Sequence, residues 1–120
     1  MILHKLDPAS IRAAWWAHRA LRVVHDDLRV NGLEFGAPPA PPPLPNRARR
    51  GVLAVLRRKE STCLERALVL QRWHSSHGDV RDVIIAVKGP SLDFAAHAWL
   101  EGEPDPNAGS FAELMRLSPR

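Results

Sequence analysis

Ser61-Thr62-Cys63-Leu64-Glu65-Arg66-Ala67-Leu68 opens a helix on the chain's only cysteine, and Ala96-His97-Ala98-Trp99-Leu100-Glu101 follows downstream as a strand. Ser61 or Thr62 caps the helix, which runs from Cys63 to about Ser75 and stops before His77-Gly78. A helix N-terminus carries partial positive charge, which favours thiolate over thiol. His97, thirty-four residues further on, supplies an imidazole that can take a thiol proton. A third group is needed to orient such a histidine, and Glu101, Glu103, Asp105 and Asn107 follow within reach. Asp105 has the right chemistry, with Pro104 and Pro106 turning it back. Asn107 is the alternative, because an amide oxygen also accepts from an imidazole. Taken singly, each residue has a plainer reading: a lone cysteine behaves as a small core hydrophobe, and a strand histidine as a hydrogen-bonded packing residue. The pair is what points to nucleophilic chemistry.

The flanking segments set the fold class. Asp82–Lys88 is short and β-branched, so it reads as a strand, and Phe94–Glu101 returns antiparallel after the Gly89-Pro90-Ser91 turn. Alternation puts Ala95, His97, Trp99 and Glu101 on one face and Ala96, Ala98 and Leu100 on the other, the second set being small enough to pack under a helix. Ser110–Leu117 is expected to close the chain as a short helix with Phe111, Leu114 and Met115 inward. Towards the N-terminus, Asp7-Pro8 starts a helix whose apolar face is Ile11, Trp15, His18, Leu21, Val24 and Leu28, with a second face through Ala14, Ala17 and Val23. Asn31-Gly32 ends it. Residues 37–45 hold six of the eleven prolines and read as a semi-rigid polyproline linker. Asn46 is the expected cap of a helix over Arg47–Arg58. Helices first and a hairpin after make the chain α+β. The expected units are an N-terminal helical arm (1–36), the linker (37–45) and a core (46–120).

Composition narrows the function classes. With 120 residues there is room for one domain of modest core. A single cysteine forms no internal disulfide, and a working thiol suits a reducing compartment. No apolar run approaches a membrane span, and Met1–Pro8 lacks the pattern of a secretory signal, so a cytoplasmic protein without membrane association is expected. The net charge of +4 raises the question of nucleic acid. Arg47, Arg49, Arg50, Arg57, Arg58 and Lys59 cluster, but with no tyrosine and three phenylalanines the chain is poor in stacking groups. These basic residues read as a solvated helix face, then as a dock for an acidic peptide, with nucleic acid last. His74 and His77 lack the further ligands of a zinc site and read as a helix-end charge interaction or as solvent-exposed, so neither metal nor cofactor is expected.

The Cys63 segment, the apolar Val83–Lys88 and the His97-Ala98-Trp99 segment together resemble the transglutaminase-like cysteine peptidases that remove leader peptides in lasso-peptide biosynthesis. The likeness spans roughly residues 61–103, and the small helical arm before it resembles the region that precedes the core in that family. The resemblance implies a papain/transglutaminase-like core, with the nucleophile-bearing helix packed on a small antiparallel sheet. It implies Cys63 as nucleophile, His97 as general base and then acid, and a thioester intermediate on the leader side. The implied partners are a ribosomal precursor peptide, a small leader-recognition protein and a lactam cyclase. In this chain the turn after His97 is about two residues shorter than in that family; Asp105 matches the third residue by chemistry and Asn107 by position. Two other classes remain: a related transglutaminase-like acyl transferase using the same pair, and a non-enzymatic interaction module with a structural Cys63.

Overall fold

The computed structural model describes residues 7–88, 95–103 and 111–120. Three α-helices come first: α1 (Pro8–Asn31), α2 (Arg49–Arg58) and α3 (Cys63–Ser76). Three strands follow: β1 (Val83–Lys88), β2 (Ala95–Leu100) and β3 (Ala112–Leu117). The sheet order is β2-β1-β3, antiparallel throughout, and α3 packs on it with α1 and α2 beyond. The α+β expectation therefore holds, with the hairpin partner Val83↔Leu100 in register.

Asp7 caps α1 as expected: its carboxylate accepts from the Ser10 amide and hydroxyl, each at 2.9 Å. Those bonds, reinforced by Arg47 and Arg50, hold its pKa below the ordinary aspartate value. Gly32, at φ +57°, stops the helix. The buried face of α1 differs from the expected one. Ala13, Trp16, Ala17, Ala20, Leu21 and Val24 face the core, whereas Ile11 and Trp15 face solvent. Close helix approach explains the difference. A Cβ on Gly51 of α2 would lie 2.0 Å from the Ser10 carbonyl oxygen of α1, so the two backbones nearly touch. Only small side chains fit such a crossing, and the alanine-rich face supplies them.

Residues 37–45 lie against this helical layer. Prolines lack amide donors, but their carbonyls still accept. Trp16 Nε1 donates to Pro39 O (3.0 Å), Arg72 Nε to Pro38 O (3.2 Å), and His77 Nε2 sits 2.9 Å from Leu44 O. Trp73, fully buried, stacks between Trp16 and His77. Asn46 starts a 3₁₀ turn (Asn46–Ala48) and makes no side-chain cap, so α2 begins at Arg49 rather than Arg47.

The tail is the largest departure. Ala112–Leu117 is composed of good helix formers, yet it forms β3. Without it, one edge of the central strand β1 would leave its amides and carbonyls unpaired, and strand pairing overrides propensity there. A register shift at Ile85/Ala86 adapts the match, placing Met115 beside Ile85 and Leu117 beside Val83. Arg116 still reaches Glu113, at 2.8 Å, and holds that carboxylate's pKa below its usual value.

At the C-terminal end of α3, His74 is buried beside Arg81, Arg49, Glu103 and Asp79. It is neither solvent-exposed nor a helix-end cation: burial, then the two arginines, lower its pKa below 6.5. Its Nε2 lies 3.3 Å from the Glu103 carboxylate without the alignment of a hydrogen bond. Arg49, read from sequence as solvated, pairs with the same Glu103.

Two outcomes follow from the packing. Gly51→Ala should destabilise the fold by about 2 kcal/mol in urea titration despite its helix-propensity gain, because the clash is with backbone. A histidine kept neutral in the native state while its unfolded form takes up a proton makes stability fall as pH drops below about 6.5. The urea midpoint should therefore decline from about pH 7 to about pH 5, and His74→Gln should flatten that decline.

Candidate active site

Cys63 is the first residue of α3, and the local sequence fixes that start firmly. Thr62, not Ser61, is the cap: its hydroxyl accepts from the Glu65 amide at 3.1 Å, and Glu65 Oε1 accepts from the Thr62 amide at 2.9 Å. This reciprocal capping box satisfies two amides that a helix start leaves free. Glu65 is buried, and its second oxygen meets His25 Nδ1 of α1 at 2.6 Å. Arg66 Nη1 closes the turn by donating to Ser61 O at 2.7 Å. Cys63 itself is half-buried, packed against the main core.

His97 lies on β2, paired with Ala86 of β1. Helix α3 packs on β2. The helix is pinned to the sheet by buried Gln71, whose amide donates to Arg81 O (2.9 Å) and Leu117 O (2.8 Å), next to the Val83↔Leu100 and Val83↔Leu117 pairs.

Cys63 and His97 do not share a sheet face. Ala98 and Leu100 are buried in the core beneath α3, as alternation anticipates. His97 is on the opposite face, half-buried, with its ring 5.6 Å from Trp99 and 5.4 Å from Phe111. Among the described residues, β2 is an edge strand of the sheet. Among the proposed third residues, Glu101 pairs with Arg116 at 2.7 Å, and Glu103 is held by Arg49 and Arg81. Asp105 and Asn107 fall outside the described residues.

A cleft of about 400 Å³ adjoins the start of α3. His18, Arg22 and His25 of α1 and Lys59, Ser61 and Glu65 are among its lining residues. Sequence reading missed the His25–Glu65 contact and the Gln71 anchor. The S/T-x-x-E spacing was a usable signal for Glu65, while nothing local announces His25 or Gln71.

The match to a family model decides what kind of domain this is: the transglutaminase-like superfamily model covers residues 9–117. The chain belongs to that superfamily. The superfamily includes cysteine peptidases and acyl transferases, and membership in it supports a cysteine-protease-like enzyme. No curated protein and no solved structure matches the chain. Within the superfamily domain, the match includes α1 along with the helix and strand that carry Cys63 and His97. No helix among the described residues is long and apolar enough to cross a membrane.

Loss of the cap should be measurable on its own. Thr62→Ala is expected to cost about 1 kcal/mol in urea unfolding. Glu65→Gln, which keeps an acceptor for the Thr62 amide but removes the charge facing His25, should cost less than Thr62→Ala.

Proposed function

We propose that this chain is a cysteine peptidase that cleaves the leader from a ribosomally made precursor peptide of the lasso type. The single observation behind this reading is a firmly capped cysteine at the start of a helix that packs on the strand bearing His97, inside a transglutaminase-like domain. Cys63 attacks the carbonyl carbon of the leader's last residue, and its proton passes to His97. The imidazolium then protonates the departing amine of the core peptide, leaving a thioester on the leader. Water, deprotonated by His97, hydrolyses the thioester and restores the thiol. His97 serves Cys63 as base and acid in this reading, and Asp105, or Asn107 in its place, orients the imidazole. The Cys63 amide at the helix start is the donor for the oxyanion. The precursor peptide, a leader-recognition protein and a lactam cyclase are the partners this reading assigns, and a cytoplasmic setting keeps the thiol reduced.

The test is leader removal from a lasso-type precursor peptide, followed by mass spectrometry, with a leader-recognition protein present. Cys63→Ala should abolish cleavage. His97→Ala should slow it by about 10²–10⁴-fold. Of the two third-residue candidates, the functional one should be the one whose alanine variant falls furthest. Cleavage that survives Cys63→Ala, or an intact precursor after prolonged incubation with the parent chain, would refute the reading. Transfer of the leader acyl group to an added amine in preference to water would instead identify an acyl transferase.

A further inference from the structure

The outward face of α1 carries an unusual combination of side chains. Trp15 and Val30 are each 74% exposed, and Ile11 and Val23 each 41%. At 100° per residue these four fall on the same half of the helix as Arg12, Arg19, Arg22 and Arg29. All four arginines are exposed, and none has a carboxylate within ion-pair distance among the described residues. The stripe from Ile11 to Val30 is about 28 Å long. Asp26 is the one acid on it, and His18 and His25 border it. The inward face of α1 is already committed to the core, so this stripe is not part of the fold's own packing.

We infer that this face docks an acidic protein segment, helical in form, with apolar side chains at three- and four-residue spacing. Charge complementarity identifies the occupant: four unpaired guanidinium groups attract carboxylates, and Arg and Trp are the side chains that most often anchor protein interfaces. Trp15 is the anchor, seated between partner apolar groups, while the arginines set orientation and rate of encounter. A lipid surface fits less well. A helix lying in a membrane separates an apolar face from a basic one, whereas here valines and arginines interleave on one face. Nucleic acid also fits less well, since Trp15 is the one ring on this face to stack on a base, Ile11, Val23 and Val30 offer none, and Asp26 repels phosphate. The inference is independent of the chemistry assigned to Cys63.

The experiment uses the full chain and a fluorescein-labelled peptide of about 20 residues, long enough as a helix to cover the stripe. The peptide is Glu-rich with Leu at i, i+3, i+4 and i+7 spacing. Anisotropy is read against a scrambled peptide of the same composition, phosphatidylglycerol vesicles and single-stranded RNA. The patterned peptide should bind better than the scrambled one, and added salt should weaken it. Trp15→Ala and the double variant Arg19→Glu/Arg22→Glu should each weaken it about tenfold or more. Because these side chains are exposed, the melting curves of the variants should match the parent, which separates lost binding from lost fold. Equal binding of the two peptides, variants that bind as the parent does, or stronger binding to vesicles or RNA would overturn the inference.

Discussion

The carboxylate of Glu65 is buried, and a buried carboxylate survives only where partners replace the water it has lost. Here one oxygen accepts from the Thr62 amide and the other meets His25. That single side chain therefore does two jobs: it fixes the residue at which α3 starts, and it ties α1 to that start. Because Cys63 is the first residue of α3, the thiol inherits its position from this cap. The far end of the same helix is held separately, by Gln71 bonding to the backbone entering β1 and leaving β3. Helix α3 is thereby tied to α1 at its start and to the sheet through Gln71.

Local chemistry was readable in the sequence, and long-range pairing was not. The Asp7 cap, the Asn31-Gly32 stop, the Thr62 helix start and the β1–β2 hairpin rest on short-range rules of capping, turns and alternation. The tail failed because Ala112–Leu117 favours helix in isolation and becomes a strand only when β1 presents an open edge. The outer side of α1 failed for a related reason. Periodicity marks apolar residues, but it does not reveal that Gly51 brings α2 so close that alanines, not Trp15, must face inward. His74 is a third instance: its neighbours Arg49, Arg81 and Glu103 come from three other segments, so its burial and lowered pKa have no local signature.

The site divides along the same line. Cys63 and His97 stand out from residue type and setting, one at a capped helix start and the other on β2. The supporting residues, His25, Glu65 and Gln71, act across long sequence separations. The transglutaminase-like match likewise extends into α1 rather than beginning at the cysteine. The two ends of α3 also differ in character. One end carries the capping box, with Ser61 and Glu65 lining a cleft, whereas the other is a knot of ionic groups around a buried histidine whose pKa is lowered.

The central claim is that Cys63 and His97 act as one chemical unit despite lying on different faces of β2. The most direct measurement is the rate of Cys63 alkylation by iodoacetamide across pH, in the parent chain and in His97→Ala. The account predicts that the parent reacts faster than a model thiol below neutral pH and that His97→Ala loses the advantage. Identical pH profiles in the two proteins, both tracking an ordinary thiol, would contradict it.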